Sequence, residues 1–416
     1  MVLVNSSSCI ICTINIFKYL VLINMDEGEI VTPYMKPLEL FKNKELVTIC
    51  APMVRYSKLA FRSLVRKYGC DLCFTPMIIS DCFIQSIRAR HSDFTTCKED
   101  RPLVVQFAAS KGEDWAQATK LVAPYCDGVD LNCGCPQRWA MAEGYGACLI
   151  HKPHLVADMI HQTRNTVTDP DFTVSIKIRL HKDYKHTVDF ARQMEAAGAS
   201  FITVHGRTQD QRGDPVCLEA IADIKSALQI PVVANGDVRS MDDAHRIHHV
   251  TGVDGVMAAR GMLENPAMYA GYKTTPQECV KDWVNIALKT GTHFTCFHHH
   301  LIYMLEKSLS RGERKYFNIL GSTSGVLTYL TEKYKMEFSR SFYINLISRE
   351  CNIIGWQTVI RIVIIIWQNM IKILIIILII ICTVVIKIHH ISPSCFRNSA
   401  IGDNIHKDEK YELTQE

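Results

Sequence analysis

The chain has little net charge. Its 46 Lys and Arg against 42 Asp and Glu leave +4 over 416 residues. No whole-chain field therefore selects nucleic acid, and any RNA contact must come from a local basic patch. A second C-x-x-C pair at zinc spacing is also missing. The 17 cysteines are odd in number and scattered, with Cys9-x-x-Cys12 and Cys70-x-x-Cys73 as isolated pairs. That pattern gives neither a disulfide framework nor a metal site. Free thiols in a reducing compartment are the expectation. No G-x-G-x-x-G follows an apolar run, so the fingerprint of a dinucleotide-binding doubly wound sheet is missing.

The two ends differ from the middle. Residues 1–24 are apolar but lack the basic start and small-residue cleavage site of a secretory signal, and Met25 could be the true start. Isoleucine dominates residues 351–391. The uncharged run ILIIILIIICTVVI, at 373–386 between Lys372 and Lys387, is shorter than the about 20 residues of a bilayer span. It is either a membrane anchor lengthened by its lysines or a translated noncoding stretch. The expected division is an extension at 1–43, a barrel at 44–270, a helical domain at 271–335 and the atypical tail at 336–416. Membrane association depends on a genuine tail; otherwise the cytoplasm or nucleus is expected.

Hydrophobic residues make up 48% of the chain, enough for a sizeable core. Apolar, β-branched runs recur at 46–54, 72–78, 103–109, 128–134, 173–180, 201–208, 232–238 and 255–261. Most precede a stretch of helical periodicity, as at 114–122, 154–167, 187–197 and 218–228. Eight strands alternating with helices predict an α/β fold, the (β/α)8 TIM barrel, followed by a smaller all-helical domain.

In such a barrel the active site lies at the C-terminal strand ends. Polar residues cluster there: Pro52-Met53-Val54 after strand 1, Gln106 in strand 3, Asn132-Cys133-Gly134-Cys135-Pro136 at strand 4, Lys177 and Arg179 in strand 5. His205-Gly206-Arg207-Thr208 ends strand 6, Asn235-Gly236-Asp237 strand 7 and Ala259-Arg260-Gly261 strand 8. Core packing needs apolar groups there instead. The last two loops are where barrel phosphate sites sit, and Arg260 could fork onto phosphate oxygens. A phosphate-bearing cofactor is therefore expected. Period two puts Ser175, Lys177 and Arg179 on one strand face. A buried lysine is costly unless it meets an anion; the alternative is an ammonium that escapes to solvent. His205 could bond a ligand edge or be a satisfied structural histidine. The histidines at 248–249 and 298–300 read as surface or packing residues.

Spacing leaves Cys133 and Cys135 as equals. Both are either structural cysteines or candidate acids, since thiols as a class are mostly protonated at pH 7 and can donate a proton. Residues 276–335 have helical periodicity. Within them Lys307, Arg311, Arg314 and Lys315 fall on one face of a continuous helix, where a basic face could neutralise phosphates or merely be solvated.

Taken together, APMVRYSKLAFR, NCGCPQRWAMAEGYGACL, SIKIR, HGRT and ANGD resemble the tRNA-dihydrouridine synthases, most closely the eukaryotic type-4 class, over residues 40–335. The resemblance implies an FMN-containing barrel with a helical tRNA-binding domain, NADPH or NADH as reductant, and tRNA as substrate. It implies hydride transfer to C6 of a D-loop uridine, 20a or 20b, and a proton to C5 from Cys135. Cys133 falls on a variable position of the motif. FMN contacts carry over to Pro52, Met53, Val54, Gln106, Lys177, His205, Asn235, Gly236, Asp237, Ala259 and Arg260; many relatives have Gly at the position of Ala259. Asn132, Arg179 and Arg207 are candidates for holding the base or its phosphate. No metal is expected, and the chain is expected to act as a monomer. The competing readings are an FMN reductase of a small pyrimidine, of the dihydroorotate dehydrogenase kind, and a tRNA-binding protein without catalysis.

Overall fold

The structure is a computed structural model and describes residues 34–338. The expectations for residues 1–24 and for the Ile-rich run lie outside the described residues. Among the described residues, no helix is long and apolar enough to cross a membrane.

Parallel strands close into an eight-stranded barrel. The barrel strands are β1 (Val47–Cys50), β2 (Leu72–Phe74), β4 (Leu103–Ala108), β5 (Gly128–Cys133), β6 (Thr173–Leu180), β7 (Ile202–Thr208), β8 (Val232–Asn235) and β9 (Gly255–Ala258). Each pairs with its neighbour, β2 with β4, and β9 closes on β1 with Val47 opposite Gly255. The two-residue β3 (Ile78–Ile79) continues the β2 segment and pairs with the end of β4. All eight expected strands are present, but several are shorter than their apolar runs. β1 stops before Pro52, and the 72–78 run breaks before Pro76, because proline has no N–H for the ladder.

The barrel interior is apolar at one end. Val47, Ile49, Leu72, Phe74, Val104, Phe201, Val233 and Met257 form one buried cluster. The helix α1 (Pro37–Asn43) covers it: Leu40 joins the cluster and Phe41 stacks at a tilt on Phe201, centroids 5.3 Å apart. Burial of this layer is the main stabilising term for the closed sheet. Higher up, the same inward face turns polar, and that change positions the site.

The helix α2 (Leu59–Lys67) lies between β1 and β2 in sequence and receives the helices that follow the barrel. Those are α3 (Gln277–Lys289), α4 (Phe294–Leu305), α5 (Arg311–Asn318) and α6 (Thr323–Tyr334). The contact is a knot of rings. His300 lies 4.4 Å from both Phe61 and Trp283, centroid to centroid, and its Nε2 meets the Tyr56 carbonyl at 3.2 Å. His298 is likewise buried, with Nε2 2.9 Å from the Phe317 carbonyl. Both histidines are therefore packing residues.

The basic run does not form one helix. α4 ends at Leu305 and α5 starts at Arg311, because Ser310 caps the new helix while Glu313 reaches back to the Ser310 N–H. The expected single face of Lys307, Arg311, Arg314 and Lys315 is thus corrected: Lys307 precedes the cap and pairs with Glu264 at 2.9 Å.

Candidate active site

Above the apolar layer, adjoining strands supply one polar network. Gln106 Nε2 donates to Asp130 Oδ2 at 2.8 Å, and Ser175 Oγ donates to Asp130 Oδ1 at 2.8 Å. Asn132 Nδ2 donates to Gln106 Oε1 at 2.9 Å. Asp130 is fully buried, and burial lifts its carboxyl to about 6, opposed by the Gln106 and Ser175 hydrogen bonds and the Lys177 charge. Registry explains the grouping: Gln106 is opposite Asp130, Asp130 opposite Ser175 and Asn132 opposite Lys177.

Lys177, Arg179, His205, Arg207 and Arg260 follow at the mouth. Burial and the neighbouring Arg179 push the Lys177 ammonium down to about 8, against the pull of Asp130 and Cys135. His205 is driven to about 2 by burial first and then by Lys177, Arg179, Arg207 and Arg260, so it is neutral at physiological pH. Among the described residues no group hydrogen-bonds the buried His205 Nδ1. Gly236 packs against this ring: at φ +118°, an added Cβ would sit 2.4 Å from Val216 Cγ1 and 3.3 Å from His205 Nε2. Only glycine leaves this floor flat.

The other cations differ in how they are used. Arg207 is 3% exposed and donates to both Asp237 oxygens, at 2.6 and 2.7 Å, and to the Asp214 carbonyl. Burial opposes the Asp237 carboxylate, but the Arg207 and Val216 N–H hydrogen bonds win and hold it below the usual range. Arg207 therefore shapes the loop after β8. Arg179 Nε donates to the Gly134 carbonyl at 2.9 Å and Nη1 to the Thr208 carbonyl at 2.8 Å, tying the ends of β5 and β7 together. Arg260 is exposed and makes no hydrogen bond to the described residues, which leaves its fork available. Asn235 spans to the Met257 carbonyl at 2.8 Å, while Pro52 and Met53 are half-buried and Val54 is 55% exposed beyond β1. Ala259 is half-buried, at the N-terminal end of a five-residue helix.

Cys133 and Cys135 are not equals in three dimensions. β5 ends at Cys133, which is 0% exposed and faces away from the Asp130–Asn132 side; burial raises its thiol well above the usual range. Cys135 lies beyond the strand, half-buried, against Ala108, Ala140 and Tyr145. Asn132 Oδ1 accepts the N–H groups of Gly134 at 3.1 Å and Cys135 at 2.9 Å, which sets this turn. Gly146 closes over it: an added Cβ would lie 2.5 Å from the Cys135 carbonyl oxygen.

Sequence reasoning missed Asp130. It also missed Arg62, 1% exposed, which bonds Asp100, the Ser57 carbonyl at 2.7 Å and the Thr95 carbonyl at 2.7 Å. Ser57 Oγ in turn accepts from the Met53 N–H at 2.9 Å, so this pair anchors the Pro52–Val54 segment. A lone Asp inside the apolar run GVDLNC was an available signal for the first. Nothing local marks the second.

Lys177, Arg179, Arg207 and Arg260 all bear on His205, with Arg207 held by Asp237 and Arg179 by backbone carbonyls, and a buried imidazole nitrogen stands unpaired beside a side-chain-free floor. Polar and charged side chains gathered at the C-terminal strand ends define a class: a (β/α)8 barrel enzyme with its active site at that end. Within that class the chain belongs to the dihydrouridine synthase family, whose sequence pattern matches residues 49–342. It is 58% identical over 298 residues to a human tRNA-dihydrouridine(20a/20b) synthase (NAD(P)+)-like protein, covering 72% of this chain and 94% of that one. It is 42% identical over 281 residues to the tRNA-dihydrouridine(20a/20b) synthase of Schizosaccharomyces pombe, covering 67% and 86%. The Saccharomyces cerevisiae enzyme of the same name is 40% identical over 288 residues, covering 67% and 78%.

Proposed function

We propose that this enzyme reduces uridine to 5,6-dihydrouridine in the D-loop of tRNA, at positions 20a and 20b, with FMN as cofactor and NADPH or NADH as reductant. The observation that supports it most is the mouth itself. A half-buried Lys177, a neutral His205 and the Cys135 turn meet there, in a chain 58% identical to a protein named for this reaction.

FMN, when bound, supplies hydride to C6 of the uracil. Lys177 offers a cation to the ring, His205 an uncharged hydrogen-bonding edge, and Arg260 a fork for the phosphate. Gly236 keeps the floor open to a flat ring. Cys135 Sγ gives its proton to C5 as the C5–C6 double bond is lost, and the thiolate regains a proton from solvent. The acid must lie within hydrogen-bond reach of C5, so the target base has to leave its stack. Asn132 and Arg179 fix the turn that carries the thiol, and the helices after the barrel supply further tRNA contacts.

Incubating the purified chain with FMN, NADPH and unmodified tRNA is expected to yield dihydrouridine at 20a and 20b, read by mass spectrometry of tRNA fragments. Product at other D-loop uridines alone would refute the assigned positions. Reduction of free dihydroorotate or uracil without tRNA activity would refute the substrate class. Gly236→Ala is expected to weaken FMN binding about tenfold or more, because the methyl group strikes Val216 and crowds His205. Titration of the apoprotein with FMN reads this; an unchanged Kd would mean the ring does not use this floor.

A further inference from the structure

Hydrogen bonds between two side-chain amides carry no fixed direction, since each amide can turn over and exchange oxygen for nitrogen. A carboxylate has only acceptors, so it can set that direction. Asp130 is fully buried and bonded to Gln106 Nε2 at 2.8 Å. Its charge forces the Gln106 NH2 inward. The Gln106 oxygen then faces outward and can be met only by a donor, the Asn132 NH2, at 2.9 Å. That leaves the Asn132 oxygen facing the turn, where it accepts the N–H groups of Gly134 and Cys135. Each link has one polarity consistent with the one before it.

We propose that Asp130 is a positioning residue for the proton donor: it fixes the polarity of the Gln106–Asn132 chain and so holds the Cys135 turn in its reactive setting. The inference rests on the role of Cys135 proposed above. Asp130 acts through its hydrogen bond to Gln106 rather than as an acid or base itself. Ser175 Oγ, a donor that can turn, satisfies its second oxygen at 2.8 Å without disturbing the sequence. The charged or titratable groups that interact with Asp130 are Lys177 on β6, whose charge favours the carboxylate, and the buried Cys133 thiol on its own strand. The buried carboxyl gains a proton near pH 6. Protonated, it can donate, and Gln106 is then free to turn. The rate of base reduction should therefore fall through pH 6 as pH is lowered, while flavin reduction does not follow that limb.

The test uses the full FMN-loaded chain in single-turnover experiments, with flavin reduction by NADPH and flavin reoxidation by tRNA followed separately. Asp130→Asn has the same shape but presents an NH2 as readily as an oxygen. It is expected to keep flavin and its reduction rate, to lose about tenfold to a hundredfold in tRNA-dependent reoxidation with KM for tRNA little changed, and to lose the acid limb. Asn132→Ala removes the last acceptor and should give the same kcat loss; it carries the test if Asp130→Asn does not fold. The double variant should be no slower than Asn132→Ala alone, since both act through one chain. Additive losses, or a wild-type rate and pH limb in Asp130→Asn, overturn the proposal. Cys135→Ala is run alongside: if it retains product formation, the acid assignment itself has failed, which is a different result from an inert Asp130.

Discussion

Cys135→Ala is expected to retain bound flavin and its reduction by NADPH but to lose about a hundredfold to ten-thousandfold in dihydrouridine formation, the range that a positioned acid contributes. The side chain is small and half-buried against Ala108, Ala140 and Tyr145, so its loss leaves little cavity and the fold should hold. The turn itself is set by backbone N–H groups on Asn132, which alanine preserves. The defect should thus fall on one step, proton delivery to C5, and flavin reoxidation by tRNA should slow in proportion to product loss. Cys133→Ala is the control. That thiol is wholly buried on the other face of β5, so its removal should cost a fraction of the stability and leave the rate within a few-fold. Reversed effects would mean that the motif register is misassigned and that Cys133 reaches the base. Equal and small effects would mean that solvent delivers the proton.

The contrast between these cysteines shows where sequence reasoning stops. Period two predicted that Ser175, Lys177 and Arg179 share a face, and they do, because β6 runs unbroken from Thr173 to Leu180. Applied to Cys133 and Cys135, the same rule failed because β5 ends at Cys133 and the chain turns at Gly134. The expected strands were legible as β-branched runs, and their early ends trace to Pro52 and Pro76. The helix break at Ser310 carried a readable sign, Ser310-x-x-Glu313, which outweighs the even spacing of basic residues. The capture of Arg207 by Asp237 was not legible, since it joins two strand ends 30 residues apart. Both residues looked like free ligands in sequence, and only folding shows that one satisfies the other.

Asp100→Ala is expected to cost about 3–5 kcal/mol of folding stability, the loss typical of breaking a buried ion pair from one side. Asp100 is 1% exposed and Arg62 1% exposed. Arg62 reaches the carboxylate at 2.6 and 3.0 Å, Arg66 reaches it at 3.3 Å, and Thr96 adds a hydrogen bond at 3.1 Å. Alanine leaves the buried Arg62 guanidinium, and in part the less buried Arg66, without their shared carboxylate, and the penalty is that of uncompensated buried charge rather than of one lost contact. Asp100→Asn keeps the shape and one acceptor oxygen, so it should cost less. The effect should also reach the mouth. Arg62 holds the Ser57 carbonyl and Ser57 holds Met53, so loosening the pair loosens the Pro52–Val54 segment, to which the family resemblance assigns flavin contacts. Denaturant unfolding and FMN titration of the same variant separate the two consequences. A loss of stability with unchanged FMN affinity would confine the pair to the fold. A loss below about 1 kcal/mol would show that Arg62 is satisfied by the Ser57 and Thr95 carbonyls alone, and that the arginine closing the APMVRYSKLAFR segment needs no carboxylate to hold the loop.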